Sequence, residues 1–170
     1  SGIVINKSIR IAGDEMDEAI SSFARLKYSM LLGEKTCEEI KINIGSAFLK
    51  EEKHMVVRGR DLETGLPKSL RIGSDEIREA LSPVILNIVE AIVDLIEETP
   101  PELVSDILER GITLSGGGSL LAGLDQVIAE RTKMPVWVAD DPLTCVVKGC
   151  AKVLENQKLL DRVKVIGGFK

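Results

Sequence analysis

The chain has 170 residues, 44% of them hydrophobic and only 3% aromatic, so it can bury one domain's core and must build it from Ile, Val, Leu and Ala. Its net charge of −5 leaves no footprint for nucleic acid as the main partner. Cys37, Cys145 and Cys150 lack the spacing of a disulfide framework and read as reduced thiols of a cytoplasmic protein, and the most apolar stretch, Val84 to Ile96, carries Asn87, Glu90 and Asp94 and is too short to span a bilayer.

Ile3, Ile5, Ile9 and Ile11 fall on odd positions with Asn6, Ser8 and Arg10 between them, the period of a half-buried strand and not of a secretory leader. A chain entering a strand at once looks like a piece of a longer protein. Gly13 ends that strand, and Asp14-Glu15 opens a helix to about Leu32, with Met16, Ile20, Phe23, Ala24 and Leu31 inward. Gly33 stops it, and Thr36 is predicted to cap a second helix, Cys37 to about Ile44, with Glu39 reaching back in a capping box. Strands at about His54–Arg60 and Ser69–Ile72 flank a polar loop with Gly65 and Pro67, which reads as a hairpin. A helix plus a hairpin at this place suggests a small α+β subdomain.

Ser74 is predicted to cap a long helix from Asp75 to about Glu98, kinked or divided at Pro83. Its apolar residues from Val84 to Ile96 cover more than one face, the pattern of burial from two sides. After Pro100-Pro101 a short helix, Glu102 to Arg110, closes on Gly111. Ile112–Leu114 is a short strand, and Ser115-Gly116-Gly117-Gly118 turns it towards a helix predicted to be capped by Ser119 and to run to about Arg131, with Leu120, Leu121, Leu124, Val127 and Ile128 on one side. Met134–Val138 is a further strand. Pro142 is then expected to start a helix from Leu143 to about Leu159, with Val163–Lys170 a short strand or frayed tail.

The glycine run can bring bare backbone and a helix start to one spot, where a flat or anionic ligand approaches unhindered; the plain alternative is a tight turn with no ligand. A strand, a glycine turn, a helix, a strand and an acid near Asp140-Asp141 also fit a dinucleotide fold, but Leu121 stands where its third glycine belongs. No GxxxxGK[ST] phosphate loop and no G-x-S-x-G nucleophile turn occurs, and His54 is the one histidine. Metal binding through Cys145 and Cys150, five apart on a helix, is a weak reading beside structural cysteines.

Four collinear stretches resemble one family, the MreB bacterial actin homologues that determine rod shape. They are IRIAGDEMDEAI (Ile9–Ile20), LLGEKTCEEIKINIGSA (Leu31–Ala47), PPELVSDILERGITLSGGGSLLAGLD (Pro100–Asp125) and DPLTCVVKGCAKVL (Asp141–Leu154). The resemblance implies an α/β, actin-like (ribonuclease H-like) ATPase half. Residues 1–30 and 73–170 would form the larger subdomain and 31–72 an inserted small α+β one, with the family's N-terminal half absent. It implies ATP or ADP, with Mg2+ in the full-length protein, bound between the subdomains. By position the adenosine contacts fall on Cys37, Glu38, Glu39 and Ile40, and on Gly117, Gly118, Ser119 and Leu120, with Gly116 and Gly13 as neighbours. Glu38 would accept from ribose hydroxyls, and cysteine at position 37, where the family has a small residue, should still fit beside the base. Both phosphate-gripping hairpins, the water-orienting residue and the membrane-inserting segments would lie outside this chain. No ATP turnover by the chain alone is expected, therefore, and nucleotide affinity no tighter than millimolar. The resemblance further implies filaments at the inner face of the cell membrane, made from copies of the protein, a RodZ-like membrane adaptor and the cell-wall synthesis machinery as partners. A sugar- or acetate-kinase relative is the rival reading, and a chaperone-type ATPase a third.

Overall fold

In a computed structural model residues 3–48 and 51–163 are described. Helix α1, Gly13–Tyr28, begins where the Glu15 carboxylate accepts the Ala12 N–H at 2.7 Å, and it buries Met16, Ile20 and Ala24 at the spacing of four that puts side chains on one face. It ends four residues before Leu32, because Ser29 takes a left-handed conformation (φ 48°) and turns the chain into strand β1, Met30–Leu31. Leu31, expected on the inner side of the helix, is therefore an exposed strand residue, and Met30 takes the core position.

Helix α2, Glu34–Ile44, starts three residues earlier than the sequence reading has it. Gly33 is the N-cap and its carbonyl already takes the Cys37 N–H at 3.1 Å, so Thr36 lies inside the first turn and the expected capping box with Glu39 does not form. Strands β2, His54–Asp61, and β3, Pro67–Gly73, form the expected hairpin, with Gly65 at φ 75° and the Asp61 carboxylate accepting the N–H groups of Glu63 and Thr64 in the turn. Strand β1 adds to its other edge, giving an antiparallel sheet in the order β1-β2-β3.

Helix α3, Ser74–Glu97, is one helix of 24 residues and is not divided at Pro83. Its cap is Gly73, whose N–H is taken by Glu76 Oε2 at 2.9 Å, while the Ser74 hydroxyl instead accepts the Lys53 N–H at 3.0 Å. Pro83 lies on the exposed side, where the carbonyl it leaves without an N–H partner can be hydrated. The expectation of burial from two sides fails: Ile77, Leu81, Ile85 and Val89 form a single buried stripe, and Leu86 across from it is 53% exposed. Helix α4, Pro101–Arg110, closes on Gly111 as expected.

Strands β4, Ile112–Leu114, and β5, Val136–Val138, pair in parallel, with Ile112 opposite Val136 and Leu114 opposite Val138. The connection runs through a single 3-10 turn, Gly117–Leu120, and then helix α5, Leu124–Thr132. Ser119 is thus not a helix cap: its hydroxyl donates to the Gly116 carbonyl at 2.7 Å, inside the turn. Gly123 precedes α5 with φ 79°, and Leu120 stays 55% exposed while Leu121, Leu124 and Ile128 are buried. The last expected helix is two, α6, Cys145–Glu155, and α7, Gln157–Val163, because Asp141 (φ 53°) and a turn through Thr144 delay its start and Asn156 interrupts it.

Residues 3–11, expected as a half-buried strand, pair with no strand among the described residues and are largely exposed, Ile3 by 84%. A strand needs a neighbour to take its backbone groups, and alternating isoleucines cannot supply one. The expected tail beyond Val163 lies outside the described residues. One buried cluster joins α1, α2, β2, β3, α3 and α5. The chain leaving α2 meets the chain leaving the glycine turn, where Ser46 bridges Ala122 in parallel and the Ala47 N–H donates to the Ala122 carbonyl at 2.8 Å.

Candidate functional site

Two pieces of backbone carry the residues that the sequence singles out. The first is α2 with the start of α1. Cys37 and Ile40 point into the core, 1% and 0% exposed, while Glu38 and Glu39 face solvent one turn in from the helix start. Burial pushes the Cys37 thiol above its ordinary range, with Asp17 adding to the effect, so it is a small apolar filler and not a thiolate. Glu38 and Cys37 line a cleft of about 630 Å³ between α1 and α2, together with Asp14, Asp17, Glu34 and Lys35.

Across the helix pair Lys41 holds α2 to the first turn of α1. Its ammonium pairs with Asp17 Oδ2 at 2.7 Å and donates to the Gly13 carbonyl at 3.1 Å. Gly13 is fitted to this contact, since a Cβ there would lie 3.3 Å from Lys41 Nζ. The second oxygen of Asp17, Oδ1, is buried with no hydrogen-bond partner. A buried carboxylate oxygen with no donor is costly, and because this atom is closed off from solvent, the acceptors that the cleft offers a ligand are the exposed carboxylates of Glu34 and Glu38. Asp14, Asp17, Glu34 and Lys41 were missed by the sequence reading, because the crossing of α1 and α2 that brings them together is written in neither helix's own pattern.

The second piece is the glycine turn. Gly116 has φ 84° and ψ 172°, a region open in practice to glycine, and its N–H donates to the Pro142 carbonyl at 2.9 Å. A Cβ on Gly116 or Gly118 would meet nothing within 4 Å, and one on Gly117 would only touch Leu143 at 3.5 Å. Bare, open backbone therefore faces outward at Gly117–Gly118, with Leu120 beside it and Ser119 turned inward at 8% exposure. No helix start stands at the glycines, so the anion-binding part of the expectation loses its dipole, and the flat backbone surface remains. The turn does not line the cleft beside α2. The two pieces are linked through Ser46 and Ala122, each two residues beyond its own element.

Asp141, a candidate ribose acid under the dinucleotide alternative, is taken: the Lys148 ammonium and the Thr144 hydroxyl bond to its Oδ2 and hold its carboxyl below the ordinary range.

A short parallel β-α-β unit carrying a glycine turn, joined to a helix and a three-stranded antiparallel sheet, is the architecture of actin-like ATPases, and solved actin-like structures superpose on it. MreB5 of Spiroplasma citri bound to ADP matches with a TM-score of 0.89 and 36% identity, covering 94% of this chain and 49% of that one, and the same protein bound to AMPPNP matches with a TM-score of 0.89. The MamK double helical filament matches with a TM-score of 0.70 at 19% identity over 83% of this chain and 43% of that one, a likeness of fold alone.

The sequence pattern of the MreB/Mbl protein family matches residues 1–162, and the cell shape-determining protein MreB of Escherichia coli K12 is 49% identical over 156 residues, 91% of this chain and 45% of its own length. The chain belongs to the MreB/Mbl family of actin-like, cell-shape-determining cytoskeletal proteins. It spans about half the length of the curated relatives it matches.

Proposed function

We propose that this chain is the adenosine-binding half of an ATP-dependent, filament-forming cytoskeletal protein. Residues 31–72 act as the small subdomain and 1–30 with 73–170 as the larger one. The observation that carries this reading is the match to the ADP-bound structure of Spiroplasma citri MreB5 over 94% of the chain. The cleft between α1 and α2 fits the ligand's chemistry. Glu38 offers an exposed carboxylate to ribose hydroxyls. Cys37, Glu39 and Ile40 belong to the same helix as Glu38, and Gly13 to the helix beside it, while Gly116, Gly117, Gly118, Ser119 and Leu120 form the second piece, outside this cleft, whose open backbone at Gly117–Gly118 is the surface offered to the base. Mg2+ would be held chiefly by the nucleotide's own phosphates. In the full-length protein closure around nucleotide would set the contacts between copies, at the inner face of the membrane, with a RodZ-like adaptor and the cell-wall synthesis machinery as partners.

Calorimetric titration of ADP into the chain tests this. Binding at about 1 mM, near −4 kcal/mol, is expected, with loss of binding in Glu38→Ala and Gly118→Val. Equal affinity in both variants would refute the site, and phosphate release from ATP by the chain alone would refute the expected lack of turnover.

A further inference from the structure

The segment read as the small subdomain hangs from the rest of the chain by two backbone crossings, and one carboxylate fastens both. The first crossing leaves α1 at Tyr28 and turns through Ser29, in the left-handed conformation at φ 48°. The second comes back from β3 at Gly73, extended at φ −94° and ψ 155°, into the first turn of α3. Glu76 stands on α3 between them and divides its two oxygens. Oε1 accepts from the Lys27 ammonium at 2.7 Å and from the Tyr28 hydroxyl, both at the first crossing. Oε2 accepts the Gly73 N–H at 2.9 Å, at the second. Bonds to an ionised carboxylate are about twice as strong as neutral ones, and this side chain is only 18% exposed. The Lys27 ammonium also lies over the rings of Phe23 and Tyr28, 5.0 and 5.6 Å from their centroids.

A helix start needs less than this. The Gly73 bond alone completes the cap of α3, whereas the bonds to Lys27 and Tyr28 reach across 49 and 48 residues of sequence. From the hairpin side the first crossing is held as well. The Lys68 ammonium donates to the Tyr28 carbonyl at 3.1 Å, and the Leu62 N–H to the Ser29 carbonyl at 2.8 Å. The three-stranded sheet therefore hangs on two pivots whose anchors separate only if the Glu76 bonds break. Helix α1 runs into the first pivot and α2 follows it after the two-residue β1, so turning at the pivots changes the width of the cleft between them, which Leu32 also lines. We propose that Glu76 is a hinge latch that joins the two pivots and so holds the small subdomain in the orientation that keeps the cleft at its binding width. The proposal rests on the nucleotide reading of that cleft and assigns its control to a residue outside it. Where the competent orientation is only partly populated, the apparent Kd rises by the inverse of that fraction.

Pulsed electron paramagnetic resonance on the 170-residue chain is the test. Nitroxide labels go on Glu63→Cys in the hairpin turn and Asn87→Cys on α3, both exposed positions, with Cys145 and Cys150 changed to alanine and buried Cys37 kept. The otherwise wild-type chain is expected to give one narrow distance distribution. Glu76→Gln leaves one acceptor oxygen where two are used, and Lys27→Met/Tyr28→Phe cuts the first crossing from the other side while sparing the cap and the rings. Both should broaden the distribution. Both should also weaken ADP binding, followed by NMR titration, about 3- to 10-fold as the competent fraction falls to about a third or a tenth. Circular dichroism checks folding; if Glu76→Gln unfolds the chain, the double variant carries the test. A Glu76 that merely stabilises the fold would lower the unfolding temperature and leave the distribution narrow, and that result overturns the latch, as does a wild type that is already broad. Broadening with unchanged ADP affinity overturns the link to the cleft. If wild type binds no ADP, the nucleotide reading fails, and the distance distributions still decide whether Glu76 holds the hinge.

Discussion

Three glycines in and after the turn separate folding from binding. Gly123 has φ 79°, and a Cβ would lie 2.5 Å from Phe48 Cβ, so Gly123→Ala is expected to cost about 2–4 kcal/mol in denaturant unfolding, from backbone strain plus overpacking. Gly116 shares the backbone constraint without the clash. Gly118 has neither, so Gly118→Ala should leave stability unchanged or raise it by up to about 1 kcal/mol. If the base of a nucleotide rests on this backbone, the same substitution weakens ADP binding, an effect with no folding explanation. Glu76 gives a pH signature of a different kind. Burial opposes its ionisation, but the Gly73 N–H, the Lys27 ammonium and the Tyr28 hydroxyl outweigh that and lower it from 4.5 to about 2. The folded value is below the unfolded one, so its stabilisation is complete above pH 4.5 and is lost as pH falls towards 2. Unfolding of Glu76→Gln followed across that window should lack this part of the acid loss; a curve parallel to wild type throughout would show that Glu76 does not carry it.

Elements were legible where pattern alone decides them. The hairpin followed from alternation around Gly65 and Pro67, and α4 from its Pro-Pro start and Gly111 stop. Starts of helices were less legible, because several residues can cap and the backbone chooses one. Gly33 and Gly73 hold the extended conformation before α2 and α3, leaving Thr36 and Ser74 inside the helices. Ser74 is then free to accept the Lys53 N–H instead. The breadth of the apolar stripe on α3 also misled, since a helix rich in Ile and Val can look buried all round when only one line of residues is. Leu81, at 0% exposure, and Leu86, at 53%, test this directly. Leu81→Ala is expected to cost about 2–5 kcal/mol and Leu86→Ala no more than about 0.5 kcal/mol in the same denaturant experiment. Comparable losses at both would restore the two-sided reading.

At the scale of the molecule, motif order revealed the family, and helix geometry decided which side chains are available. The acids at Glu38 and Glu39 were legible because the family motif covers them. Asp17 and Lys41 were not, because their roles depend on α1 and α2 crossing, which no local pattern encodes. The same crossing explains why affinity should be weak. Cleft and glycine turn each offer one wall, the chains after them meeting where Ser46 bridges Ala122; the glycine turn opens no α-helix, and the helix starts that border the cleft carry the acids Asp14 and Glu34, which repel phosphate. Adenosine contacts must then supply nearly all the binding, and the β- and γ-phosphates little, so ADP and AMP should bind this chain about equally. A ligand near 1 mM affinity, added at 10 mM, stabilises the folded state by about 1.4 kcal/mol, which for a chain of this size raises Tm by about 3–4 °C. Thermal unfolding with ADP, AMP and inorganic phosphate measures the difference. Equal shifts with the two nucleotides and none with phosphate place the affinity in the nucleoside, whereas a shift that grows with phosphate number would mean that this half grips the phosphates in spite of the acids that surround Lys35 in the cleft.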